Sequence, residues 1–382
     1  MKDLVWLDNL KLRVGYGKTG NSAVSPYQTK GQLALRHYVF NNGSSEYIGY
    51  APSVMANDQL TWETTDQWNV GVDFGFLKNR INGTVEFYLQ NTKDLLLKRQ
   101  LPVVSGFSSV MSNVGSTRNK GIEITLNTRN IMNRNFTWST DLTFSANKEE
   151  IVELYNGKTD DVGNLWFIGQ PIDVYYNYKK IGIWQNTEND LAEMAKFNEK
   201  GANFKPGSIR LEDVDGDYKI TEEDKQILGS VRPKFVASMV NNFEFKGFDL
   251  SVFLYASVGG LLRNNIEFME KPGRGNTVKV DYWTPTNPTN AFPRPSVDVE
   301  KLDYISTLGY DKADFLRIRN ITLGYTLPEM WSKKVLMDKI RIYLSANNPA
   351  IFTNFTGIDP EGANGRTAPS YSTWMFGINL SM

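Results

Sequence analysis

Apolar and polar positions alternate with period two along most of this chain. Leu10, Leu12, Val14 and Tyr16 alternate with Lys11, Arg13 and Gly15. Trp68, Val70, Val72 and Phe74 alternate with Asn69, Gly71 and Asp73. The same pattern runs through Val85, Phe87 and Leu89, through Ile122, Ile124 and Leu126, and through Phe248, Leu250, Val252 and Leu254. Leu316 and Ile318 alternate with Arg317 and Arg319, and Ile340, Ile342 and Leu344 with Arg341 and Tyr343. The chain ends in the same way, on Trp374, Phe376, Ile378, Leu380 and Met382. Successive side chains of a strand point to opposite faces, so this pattern predicts strands with one apolar and one polar face. Expected strands are 10–16, 62–76, 80–91, 120–130, 136–147, 234–245, 248–258, 314–326, 339–347 and 372–382. Helical spacing is confined to 187–201, with Leu191, Met194, Ala195 and Asn198 in phase and Gly201 as a stop.

The connections sort by length. Four are short: 77–80, 131–135, Lys246-Gly247 and 327–338. They alternate strictly with long ones: 18–61, 92–119, 148–233, 259–313 and 348–371. Short turns on one side and long loops on the other are the signature of a transmembrane barrel, with the long loops extracellular. The fold class expected is all-β: part of an antiparallel transmembrane β-barrel, with about ten strands near the spanning length of 9–11 residues. Its apolar face meets lipid and its polar face the lumen, so Arg13, Asp73, Glu86, Glu123, Arg317 and Arg341 are expected inward. Trp62, Trp68, Trp138, Trp374 and Tyr325 fall near strand ends, as an aromatic girdle requires.

Composition narrows the alternatives. Lysine plus arginine equals aspartate plus glutamate at 42 each, which leaves no basic footprint for nucleic acid. Cysteine is absent, which excludes disulfide and thiolate-metal scaffolds. No apolar run is long enough for a transmembrane helix. The first residues lack the apolar core and cleavage site of a signal peptide, so the chain is expected to be cytosolic or the back part of a longer one.

Six stretches carry a resemblance: "LDNLKLRVGYGKTGN", "LTWETTDQWNVGVDFGFLKNRINGTVEFYLQNTKDLLL", "NVGSTRNKGIEITL", "DVDGDYKITEEDKQILGSVRPKF", "YWTPTNPTNAFPRP" and "DFLRIRNITLGYTLP". In this order they resemble the C-terminal barrel segments of SusC/RagA-type TonB-linked outer-membrane transporters. The resemblance implies a larger barrel of 22 strands, a signal peptide, a TonB box and a plug domain. None of these N-terminal parts has a counterpart here, so residues 1–382 are expected to be the C-terminal portion of the barrel. The resemblance also implies the outer membrane of a Gram-negative bacterium and import of glycans or peptides. The implied partners are a SusD-like surface lipoprotein and TonB.

Candidate chemistry is sparse. In 213–224, Asp213, Asp215 and Asp217 stand at the first, third and fifth loop positions. Lys219 can offer its carbonyl at the seventh, and Asp224 stands at the twelfth. Oxygen ligands at this spacing suit Ca²⁺. Tyr218 replaces the usual turn glycine, and an acidic loop held by Asx turns is the alternative. Trp166, Phe167, Trp184, Tyr282 and Trp283 lie in long loops, where exposed rings could stack on sugars, the alternative being loop packing. His37, the single histidine, is expected to be a surface or strand residue with no local partner. No glycine-rich phosphate loop follows a strand, and "KPGRGN" (271–276) reads as loop. An enzyme is therefore not expected. A calcium-stabilised β-sheet binding module, secreted or surface-attached, is the alternative to a transporter segment.

Overall fold

The computed structural model describes residues 6–22, 26–27, 29–43, 45–264, 280–296, 302–361 and 370–382. The "KPGRGN" stretch lies outside them. Ten long strands build the main sheet. They are β1 (Leu7–Asn21), β2 (Glu63–Phe76), β3 (Ile81–Lys93), β4 (Ser116–Met132), β5 (Phe136–Glu153), β6 (Phe235–Phe245), β7 (Phe248–Val258), β8 (Phe315–Thr326), β9 (Lys339–Thr353) and β10 (Thr373–Ser381). Their order in the sheet is their order in the chain, an up-and-down meander. Each expected strand is present, and several extend further on the long-loop side, as β5 does to Glu153. The chain divides into two compact units: 1–172 with 239–246, and 173–238 with 247–382.

In the first unit β1 pairs antiparallel with β2, β2 with β3, β3 with β4 and β4 with β5. The register puts Leu12 beside Val72, Val72 beside Val85 and Val85 beside Ile124. This row is one apolar face, and Leu12, Val14 and Phe87 on it are more than half exposed. The opposite face is polar and paired. Arg13 lies 2.9 Å from Asp73 and 2.6 Å from Glu86, and Thr84 donates to Asp73. Leu77, Lys78 and Asn79 all take left-handed φ in the turn between β2 and β3.

The long loops of this unit fold on themselves. Strands Gln32–Phe40 and Ser45–Met55 form a hairpin, which Ser109–Asn113 joins in parallel and Leu96–Gln100 completes. His37 lies in this hairpin, as a strand residue. The expectation of no partner is corrected: Glu46 is paired close by across the ladder and sits 2.6 Å from His37 Nδ1.

In the second unit β7 pairs with β8, β8 with β9 and β9 with β10. Leu250, Leu323, Leu344 and Phe376 form one continuous apolar row across four strands. On the other face Arg341 donates to Asp249 at 2.8 and 2.5 Å. The short connection 327–338 is not a bare turn. Its Pro328 precedes one helical turn, α1 (Glu329–Ser332), whose buried Ser332 hydroxyl donates to the carbonyls of Glu329 and Asp338.

The long loops here have a core of their own. The expected helix forms as Glu188–Glu199, with Thr187 capping the Asp190 N–H and Glu188 and Asp190 in its first turn. It buries Met194 and Phe197 against Trp184 and Phe204. A second cluster joins Ile183, Ile209, Leu211, Trp283, Ile305 and Leu308.

Candidate functional site

The densest polar constellation lies on the polar face of β8. Arg317 is 2% exposed, as is Asp359. Arg317 Nη2 donates to Asp359 Oδ1 at 2.7 Å, and Nη1 donates to Ser370 Oγ at 2.9 Å. Glu361 is 3.4 Å from Arg317 Nε and is also bonded by Arg319, while its own N–H donates to Asp359. Burial alone would raise the Asp359 pKa. The Glu361 N–H, the Ser370 hydroxyl and the Arg317 guanidinium outweigh it, and the carboxyl is held below its usual range. A bulge sets this geometry. Leu254 faces Ile318 and Phe253 faces Asn320, which leaves Arg319 as the extra residue. Sequence reading missed Asp359 and Glu361. The only signal was the pair of carboxylates just after β9.

Beside this constellation is a cavity of about 360 Å³ lined by Tyr255, Phe315, Arg232 and Glu361 among others, with Arg319 4.8 Å over the Tyr255 ring. A larger one, about 530 Å³, lies among the loop strands. Lys180 borders it, donating Nζ to the carbonyls of Asn290 and Ala291 at 2.8 and 2.7 Å. Burial pulls the Lys180 pKa down.

The acidic loop closes on itself. Asp213 accepts from the N–H groups of Gly216 and Tyr218, Asp215 from Asp217, and Asp217 from Lys219. Asp224 is fully buried and accepts from Val214 and Thr221, so it ties the two ends of the loop together. Carboxylate oxygens of Asp213, Asp215 and Asp224 lie within 4.8 Å of one another, and Asp217 is not in that group. Tyr218 takes φ 61, the left-handed turn conformation a glycine would supply. Its ring is held edge-on against Phe197, 5.4 Å between centroids, and 5.0 Å from Lys196 Nζ. The donor set is therefore compatible with a hard cation on three carboxylates.

The five loop aromatics separate by burial. Trp184, Trp283 and Phe167 are 1%, 3% and 6% exposed. Stacking on a sugar needs an open ring face, and the rings of Trp184 and Trp283 are enclosed in the loop cores instead. Tyr282 is exposed and Trp166 partly so.

Comparisons with known proteins agree with this architecture. Residues 3–374 match the family described as TonB dependent receptor-like, beta-barrel. TonB-dependent receptor P3 of Formosa agariphila is 32% identical over 412 aligned residues, covering 100% of this chain and 40% of that protein. TonB-dependent receptor SusC of Bacteroides thetaiotaomicron is 31% identical, over 100% of this chain and 38% of its own length. The structure of the RagAB peptide transporter superposes with a TM-score of 0.74 at 26% identity, covering 99% of this chain and 41% of that one. The chain thus spans about two-fifths of the relatives it matches. With its ten-strand meander, its exposed apolar faces and this match along nearly all its length, the chain belongs to the outer-membrane β-barrel family of TonB-dependent receptors.

Proposed function

We propose that this chain forms a C-terminal part of the barrel wall of an energy-coupled importer of glycans or peptides. In this reading it works beneath a SusD-like surface lipoprotein and with TonB, each meeting parts of the receptor in addition to this segment. The observation that carries the reading is the separation of faces. Apolar rows such as Leu250, Leu323, Leu344 and Phe376 lie open on one side, and ion pairs such as Arg341–Asp249 lie on the other. Exposed apolar rows of this length are unfavourable in water and stable against lipid. The acidic loop serves as a calcium clip that stiffens the extracellular region, on the carboxylates of Asp213, Asp215 and Asp224.

The test is uptake of labelled oligosaccharide and oligopeptide pools by cells carrying the receptor. Uptake of one pool is expected to stop when the proton gradient is collapsed and when the neighbouring lipoprotein is deleted. Uptake indifferent to both, or recovery of the protein in the soluble fraction, overturns the proposal.

A further inference from the structure

Leu77 and Leu336 both take φ 58, and they are 50% and 89% exposed. A leucine with positive φ is strained, and an exposed leucine is unfavourably hydrated. Asparagine or glycine at either position would remove both penalties in a turn that faced water. Both leucines sit in short turns, one in each unit, and both are next to unpaired cations. Lys78 follows Leu77, and Lys333, Lys334 and Val335 precede Leu336. Among the described residues Lys78 and Lys334 make no ion pair, and Lys333 meets Glu329. Met330, Trp331 and Val335 add exposed apolar surface to the second turn. Each turn also continues the apolar face of its own unit. Phe76, immediately before Leu77, stacks on Trp6 at 5.7 Å, and Phe248 packs on Tyr325 at 4.5 Å close to the second turn.

We propose that these turns are interfacial anchors, in which the leucines and Trp331 enter the periplasmic leaflet while the flanking lysines hold anionic phospholipid head groups. A water-facing turn explains neither the strained leucines nor the cations without carboxylates. A turn lying at the lipid boundary explains both, because apolar side chains reach the acyl region and ammonium groups stay at phosphate depth. The proposal rests on the lipid-facing reading of the apolar rows.

The experiment uses the purified protein in phosphatidylcholine nanodiscs doped with brominated phosphatidylglycerol or with brominated phosphatidylcholine. Trp331 fluorescence is taken as wild type minus Trp331→Phe. Brominated phosphatidylglycerol is expected to quench it about threefold more than brominated phosphatidylcholine. The preference is expected to vanish in Lys333→Gln/Lys334→Gln and in high salt. Leu336→Asn keeps a residue suited to the left-handed turn, so it folds, and it is expected to reduce quenching of Trp331 by both lipids. Equal quenching by the two lipids overturns the head-group assignment. No quenching by either, or quenching unchanged in Leu336→Asn, overturns the anchor. Trp374, on the apolar face of β10, is read in the same way with Trp374→Phe and is expected to be quenched by both lipids alike. Its protection would instead sink the lipid-facing reading beneath the proposal.

Discussion

Arg317 and Asp359 meet at 2.7 Å with both side chains almost fully enclosed, although 42 residues separate them. A buried guanidinium left without its carboxylate is an uncompensated charge. Asp359→Ala is therefore expected to destabilise the strap of chain after β9 by about 3–5 kcal/mol. Hydrogen exchange and limited proteolysis around Phe355 report the loosening. Arg317→Met paired with Asp359→Leu is expected to restore most of the protection, since replacing both partners leaves no charge behind.

The same pair makes that strap sensitive to acid. Folding lowers the Asp359 pKa, so its contribution is complete above the unfolded value, about 3.9, and is lost as pH falls through the folded value. Protease resistance of the strap is expected to hold at neutral pH and to fail only below the ordinary carboxylate range. In Asp359→Asn this acid transition is expected to disappear. Its persistence in the variant would assign it to another group.

Val252 and Ser251 are neighbours on β7 that face opposite ways, Val252 beside Ile321 and Ser251 beside Thr322. Val252→Arg in the full receptor is expected to impair membrane insertion by roughly 2–4 kcal/mol near the midplane, and Ser251→Arg to be tolerated. The readout is heat-modifiable migration together with urea-dependent folding into vesicles. Equal effects at the two positions would contradict the assignment of faces.

Gly377 lies under the Tyr343 ring, where an added Cβ would come within 2.3 Å of the ring carbon bearing the hydroxyl. Gly377→Ala must displace the ring and is expected to cost about 1–3 kcal/mol. Gly15, on the polar face of β1, has nothing within 4 Å of such a Cβ, and Gly15→Ala is expected to be neutral. Equilibrium unfolding of the two variants in the same lipid makes the comparison.

Calcium binding by the acidic loop is expected to be weaker than micromolar. The carboxylates already accept several N–H groups, and Tyr218 holds a strained turn. Calorimetric titration is the measure, with Asp215→Ala as the variant expected to abolish binding. Submicromolar affinity would mean that the tyrosine turn forms the cation site as well as a glycine does.

The spanning strands were legible because lipid enforces an alternation, and Leu10–Tyr16 shows it without interruption. The helix over Glu188–Glu199 was legible from its spacing and from Gly201 as a stop. The loop strands were not. Lys180–Ile183 and Ile209–Leu211 are short and fold against Trp283, whose contribution comes from a distant segment. The same distance explains the buried tryptophans. An aromatic in a long loop reads as a binding residue until the loop proves to have a core. Arg317 and Asp359 could each be read as lumenal charge, but nothing local to either one announces their pairing.

The bulge at Arg319 has a consequence for how this strand tolerates change. Before it the apolar side chains fall on even numbers, Leu316 and Ile318, and after it on odd ones, Ile321, Leu323 and Tyr325. The extra residue thus acts as a frame correction, turning over the parity of everything downstream. Deleting Arg319 alone would remove the bulge and leave one unbroken alternation through Ile318, Asn320 and Ile321, whereas deleting Arg319 together with a neighbour would turn a polar face toward lipid on one side of the gap. Away from the bulge, insertions and deletions in this strand are sorted by whether their length is odd or even, and at the bulge the sorting is reversed, a restriction that the folded loops do not share.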